Sequence, residues 1–333
     1  MDVTWGSIFS SSWPKILQII YVVAIFFGFY GIVFAAGARL KGKRQNWLAL
    51  SIFLIPALIL VMTGLGVPAI QTLLESFKSA DASKWVGFAN YKWAFKTPEI
   101  RLAFLNTMLW FVISPLIVTS LGLALATMLN KMKREAIPKS LIFMPMAISF
   151  VGGSLIWNLM YAYQEPNRPQ TGLIGQITLW LGLPVKHILL WSPWNNFFLM
   201  AVYIWGFTGF SMVILSAAIK AIPSEIEEAA QIDGCSRFQA FRKVALPLAL
   251  PGIVTTAIFI FIAAWNEFVV AYTLANQPAK QPFSVGLSLL TGYYEVKWNY
   301  LFAGSLIAII PVVVLFIFIE KYLVSGLTAG SVK

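Results

Sequence analysis

Residues 222–252 read IPSEIEEAAQIDGCSRFQAFRKVALPLALPG and lie between two long apolar segments. With Lys220 just upstream, the stretch gathers Arg237, Arg242 and Lys243 against Glu225, Glu227, Glu228 and Asp233. Its spacing predicts two short helices meeting at a bend. Pro223 stops the preceding apolar segment. Ser224 and Glu227 have the spacing of a capping box, S-x-x-E, in which each side chain satisfies the other residue's free backbone N–H. Ile226, Ala229 and Ala230 then share one face. Gly234 stands where a helix C-terminus favours a residue of positive φ. Ser236 and Gln239 repeat the box as S-x-x-Q. Phe238, Phe241 and Ala245 share a side of the second helix, and Leu246-Pro247 is expected to break it before the next apolar segment.

Outward from that stretch the chain is apolar. Of its 333 residues 59% are hydrophobic and 11% charged, against about 25% charged in soluble domains. This is the composition of an all-α polytopic membrane protein. A single cysteine and a single histidine exclude an internal disulfide framework and leave little for a zinc site or a Cys/His nucleophile pair. A net charge of +11 is explained by basic loops on one side of a membrane, so no nucleic-acid partner is expected.

Seven segments are long enough for a hydrocarbon core of ~30 Å: about 16–37, 47–70, 103–130, 140–163, 197–219, 250–273 and 301–319. The first ends at Ala36-Gly37-Ala38, which mimics a signal cleavage site. It is too long for a signal core and is read as a retained span. Loop 38–46 carries Arg39, Lys41, Lys43 and Arg44, and loop 131–139 carries Lys131, Lys133, Arg134 and Lys139. Basic loops stay in the cytoplasm. Alternation then puts 222–252 and the C-terminus inside and the N-terminus outside. The outer connections are about 71–102, 164–196 and 274–300. In the first, Trp85, Phe88, Tyr91, Trp93 and Phe95 suit an interfacial belt or a partner contact. In the second, 171–183 is expected to hold a short helix.

Residues 37–44, GARLKGKR, nearly spell a phosphate loop. Arg44 stands where the magnesium-binding hydroxyl belongs, and no strand precedes it. The chain is thus expected to bind no cofactor, with ATP and magnesium held on another subunit. Inside the seven expected spans Glu267 is the only charged side chain. A charge at a span's centre costs about 2.5–3.5 kcal/mol, and such residues face bundle interiors or water-filled cavities. With Trp265 and Asn266 it suits either a substrate path, a carboxylate and amide for hydroxyls beside a ring for a sugar face, or a tie between helices. Tyr203 and Trp205 are weaker candidates for the same path. Gly206 and Gly209 share a face of 197–219 that suits close packing.

Glu228-Ala229-Ala230, then Gly234, then Val244-x-Leu246-Pro247 resembles the EAA loop of ABC importer permeases. Asp233, Phe241 and Pro251 fit its carbohydrate-type, maltose/α-glucoside form; Cys235 and Val244 depart from the usual Ala and Ile. Trp265-Asn266-Glu267-Phe268 and the ending Gly326-Leu327-Thr328-Ala329-Gly330 resemble the same family. The resemblance covers about 47–333. It implies a type I importer fold, a six-helix core with residues 1–46 as an added helix and basic loop.

It further implies a bacterial or archaeal inner-membrane permease subunit, not an enzyme. Glu228, Ala229, Ala230, Asp233, Gly234, Phe241, Leu246 and Pro247 would then couple to two ATPase subunits, which Thr328 and Gly330 would also reach. A second permease, identical or different, would pair with it in the lipid. An extracytoplasmic binding protein would deliver a disaccharide, α-glucoside or oligosaccharide, with glycerol-phosphate or another polyol as the alternative. An ion-driven carrier would need intramembrane ion ligands, and a membrane enzyme a catalytic constellation; the sequence supplies neither.

Overall fold

Long apolar runs must satisfy their backbone internally when they cross lipid, and the helix does this within one segment. In the computed structural model the runs are helices accordingly. Residues 5–37, 43–165, 167–274, 281–288, 290–292 and 295–328 are described. Their packing divides the chain into two units, Met1–Leu74 and Glu75–Lys333.

The first unit holds α1 (Trp5–Gly37) and α2 (Lys43–Val61), followed by a π turn (Met62–Gly66) and α3 (Val67–Glu75). Pro68 does not stop this helix. In an α-helix its ring would strike the carbonyl four residues back. The π turn just before it, closed by Val67 N–H on Met62 O, widens the helix there. The expected span 16–37 lies within α1, where the described apolar stretch is Ile20–Ile32. The expected span 47–70 is found as Leu50–Glu75.

The second unit begins with α4 (Ala89–Lys96) and α5 (Pro98–Leu129). After them come α6 (Ala136–Phe143), a 3-10 turn (Met144–Ala147), α7 (Phe150–Met160), α8 (Leu173–Trp180) and α9 (Asn195–Lys220). Then follow α10 (Ser224–Ile232), α11 (Arg237–Ala240), a second π turn (Phe241–Ala245) and α12 (Leu246–Trp265). The unit ends with α13 (Val269–Leu274), α14 (Phe283–Ser288) and α15 (Trp298–Thr328). Helices α5, α9 and α12 pack on one another around Trp110, Val118, Leu199, Tyr203 and Ile260. Among the described residues five helices are long and apolar enough to cross a membrane, and a sixth crossing is possible through α6 and α7.

That sixth is not the straight span expected over 140–163. The two helices are bent by 97°. Pro145 lies in the 3-10 turn, Ile148 is extended at ψ 135°, and Ser149 starts a new helix by accepting from Gly152 N–H at 3.1 Å. The span expected over 250–273 also differs: a single helix runs from Arg237 to Trp265 and stops there. Glu267 therefore lies in the break between α12 and α13, outside any span.

The aromatic connection before α5 is folded onto α15. Asn90 Nδ2 donates to Ser76 O and Lys78 O, both at 2.8 Å, and Asn299 Nδ2 donates to Asn90 Oδ1 at 2.8 Å. Trp93 stacks on Tyr300 with ring centres 3.8 Å apart. Trp85, Phe88 and Phe95 remain exposed while Tyr91 and Trp93 pack inward, so part of the expected aromatic belt is free to meet a bilayer or a partner. Asp81 closes a turn by accepting from Ser79 and Ser83, which pulls its carboxyl down to about 2. The expected helix in 171–183 is α8.

Candidate functional site

The loop that follows α9 is a helix-turn-helix unit. Pro223, extended at ψ 134°, takes the cap position of α10, and Ser224 is already helical. The expected Ser224–Glu227 capping box is therefore not made: proline fixes the entry one residue earlier than the serine. Glu225 and Glu227 instead lie in the first turn, where carboxylates meet the positive end of the helix dipole. At the other end Gly234 adopts φ +91°. Cys235 N–H bonds to Ala230 O at 3.0 Å and Gly234 N–H to Gln231 O at 3.1 Å, the paired bonds of a Schellman turn.

The second box forms as expected. Gln239 N–H donates to Ser236 Oγ at 3.3 Å, and Ser236 N–H donates to Gln239 Oε1 at 2.9 Å. Leu246-Pro247 does not break the helix. The second π turn, closed by Leu246 N–H on Phe241 O, precedes Pro247 as the first precedes Pro68. Helix α10 packs against both α11 and this turn, so Glu228 to Gly234 and Phe241 belong to one small unit. Glu228, Ala229, Asp233, Gly234 and Pro247 are exposed; Ala230, Phe241 and Leu246 are partly covered. Ile226, Ile232 and Phe238 are exposed among these charges, so the unit presents apolar anchors within a polar surface.

A polar cluster adjoins this unit. Lys139 Nζ donates to Asn130 Oδ1 at 2.6 Å, Glu135 Oε2 at 2.8 Å and Ser216 Oγ at 2.6 Å. Lys220 also pairs with Glu135. Lys139 and Lys220 hold the Glu135 carboxyl below its ordinary value. The sequence reading uses Lys139 for topology and Lys220 as a charge of the 222–252 stretch, and passes over Glu135, although its i,i+4 spacing to Lys139 is visible.

A cavity of about 30 Å³ lies where the bent pair meets α9. Its walls include Pro145 and Met146 of the 3-10 turn, Phe150 of α7, Tyr203 and Trp205 of α9, and Val270 of α13. A water needs roughly 10–15 Å³ on this measure, so a sugar ring does not fit this closed form. Gly206 lines the cavity and a Cβ there would meet nothing within 4 Å, whereas a Cβ on Gly209 would meet Phe143 Cα at 2.6 Å. Of the expected packing pair, Gly209 alone is a packing glycine.

Tyr203 and Trp205 line the cavity; Trp265, Asn266 and Glu267 do not. The Tyr203 hydroxyl donates to Ile260 O at 2.8 Å and its buried ring stacks on Phe207 at 4.4 Å, so Tyr203 is a core wall of the cavity. Trp265 packs on Phe111 at 4.0 Å, and Asn266 Nδ2 donates to Ile262 O at 2.8 Å. Glu267 is buried, and its carboxylate accepts from Val270 N–H at 2.6 Å and Ala271 N–H at 3.2 Å. It starts α13. Thr328 is the last residue of α15, its side chain not described, and Gly330 lies outside the described residues.

Comparison with known proteins adds the family. The model of the binding-protein-dependent transport system inner membrane component matches residues 119–328. The osmoprotective compounds uptake permease protein GgtC of Synechocystis is 38% identical over 78% of this chain and 91% of its own. The α-glucoside transport system permease protein AglF of Rhizobium meliloti is 38% identical over 84% of this chain and 79% of its own. A chain in the crystal structure of a bacterial ABC transporter importing the acidic polysaccharide alginate superposes with a TM-score of 0.68. It is 22% identical and covers 84% of this chain and 96% of that one. The fold is thus that of a type I ABC importer permease, and the chain belongs to the family of binding-protein-dependent transport system inner membrane components.

Proposed function

We propose that this chain is one permease subunit of an ATP-driven importer for an α-glucoside or related small sugar. The observation that carries the reading is the helix-turn-helix of α10 and α11, a rigid unit with exposed apolar anchors continuous with a membrane helix. Such a unit fits a groove in a separate ATPase. The name of the Rhizobium meliloti relative supports the sugar. That of the Synechocystis relative favours a second reading, a compatible solute, and a polyol or glycerol-phosphate belongs in the same test.

In this reading two ATPases lie on the side of 222–252 and hold ATP and magnesium, and this chain binds no cofactor. A second permease completes the path through the lipid. A binding protein delivers substrate from the opposite side; a periplasmic protein is bound in an alginate transporter of similar fold. The N-terminus faces outward and the C-terminus the ATPases, with Thr328 and Gly330 near them. Residues 47–333 form the permease domain and 1–46 an added helix and loop. The closed cavity opens alternately to either side as the ATPases close and part, a rigid-body motion between two states. Trp205 gives it a ring face for a sugar and Tyr203 the wall behind it, while Trp265, Asn266 and Glu267 act by shaping its border.

The test is uptake. Cells expressing the chain with its chromosomal neighbours are given labelled sucrose, maltose, trehalose, glucosylated polyol and glycerol-phosphate, with ATP clamped and a protonophore added. Competition among α-glucosides with uptake unaffected by the protonophore is expected. Uptake abolished by the protonophore at constant ATP would point to an ion-driven carrier instead.

A further inference from the structure

The cluster around Lys139 joins three helix ends. Asn130 is the residue that ends α5, Glu135 the residue that precedes α6, and Ser216 and Lys220 lie in the last turns of α9. An ammonium has three protons to donate, and those of Lys139 reach all three elements at 2.6–2.8 Å. Ser216 Oγ lies 2.5 Å from Asn130 Oδ1. Only 15% of the Lys139 side chain is exposed, so these bonds are less screened than a surface pair's. Lys220, held by Glu135, is the last residue of α9, and α10 begins at Ser224. On the other side α6 runs straight into the 3-10 turn whose Pro145 and Met146 wall the cavity. Between these ends Gly209 seats α9 against Ile142 and Phe143 of α6.

We infer that Glu135 is a positioning residue of the transport cycle: by clasping Lys139 and Lys220 together it makes α6 and α9 move as one body. A displacement that reaches the end of α9 then arrives at the cavity wall through α6 as well as through α9 itself. The inference rests on the importer reading above, which supplies the motion to be carried. The clasp stays closed throughout the cycle. It is a link, and it does not act as a gate.

Two measurements test it on the full chain purified with its partners, in a Cys235→Ser background that serves as reference. First, Met146→Cys is labelled with bimane and ATP is added. A change in emission of about 1.5-fold or more is expected in the reference, cut to roughly a third by Glu135→Gln, because two-state motion must pass through the clasp. Second, Glu135→Cys with Lys220→Cys is assayed for uptake before and after a short bifunctional maleimide. Uptake about fivefold below the reference before cross-linking, and recovery of at least half of it afterwards, is expected of a rigid link.

An equal ATP response with and without Glu135→Gln overturns the clasp alone. So does a cross-link that abolishes uptake, since the pair would then have to part. A Glu135→Gln chain that loses its partners, with the cross-linked pair equally unassembled, places Glu135 in folding and also overturns it. A reference reporter silent to ATP overturns the importer reading, and the clasp with it.

Discussion

At Gly234 the constraint is backbone and not contact: φ is +91° and a Cβ there would meet nothing within 4 Å. A side chain would strain the turn by about 1–2 kcal/mol, the usual cost of left-handed backbone for an L-residue. Gly234→Asp is therefore expected to insert normally and to lower uptake about tenfold or more, because a strain of that size is one decade in an equilibrium. Immunoblots of membranes beside uptake rates check it; normal uptake would remove Gly234 from the docking role. Glu267 carries the opposite constraint, since its carboxylate is wholly engaged by two backbone N–H groups. Glu267→Ala leaves both buried donors unpaired, at about 1–3 kcal/mol each, while Glu267→Gln keeps one acceptor. Thermal unfolding in detergent should rank wild type above Gln above Ala, and equal midpoints would refute the capping role. The sequence singled out Glu267 by its charge but assigned it to a span, because Asn266-Glu267-Phe268 holds no proline or glycine to announce a break.

Among the elements, the prolines misled and the glycines informed. Pro247 reads as a stop and is not one, because a π turn widens the helix ahead of it, as another does ahead of Pro68. Hydrophobic periodicity does not register one extra residue in a turn. Span 140–163 is uniformly apolar, so its 97° bend was hidden as well; the Ser149 cap that makes it looks like an ordinary serine within a membrane helix. Gly206 and Gly209 separate the two uses of a small residue. Gly209→Val should force α6 off α9 and cost about 1–3 kcal/mol, the range for overpacking. Gly206→Ala, whose Cβ would meet no atom within 4 Å, should hold stability or raise it by up to about 1 kcal/mol, the helix preference of alanine over glycine. A pair of thermal melts decides, and a Gly209→Val chain as stable as wild type would mean that α6 and α9 do not meet there.

For the whole molecule, the basic loops and the EAA-like spacing both predict 222–252 on the inner side. Cys235, the chain's one cysteine, sits partly exposed in the turn between α10 and α11. An impermeant maleimide should label it in inside-out vesicles and spare it in right-side-out ones; the reverse pattern inverts the topology. The Glu135 clasp adds a pH signature. Its carboxyl is held below the ordinary value, so its contribution is full above the ordinary carboxylate range and is lost as pH falls through the lowered value. Unfolding midpoints measured from pH 7 downward should fall in acid, less steeply in Glu135→Gln; parallel curves would show that the carboxylate carries none of the dependence. Fold class, family and the helix-turn-helix of 222–252 were legible because they rest on composition and close spacing. The cavity and the clasp were not, because each joins residues far apart in sequence: Lys139 to Ser216, Pro145 to Val270.

The unbroken helix from Arg237 to Trp265 has a mechanical meaning. At 1.5 Å per residue its 29 residues make a rod of roughly 43 Å. One end is the second half of the docking loop and the other abuts the break at Asn266 and Glu267. Had Pro247 divided it, a push on the loop would have been spent bending a joint. As a single rod it behaves as a rocker arm: a tilt of a few degrees about its middle moves the two tips in opposite directions. In the importer reading, inward travel at the loop is then outward travel at the rod's far tip, where the Glu267 break begins.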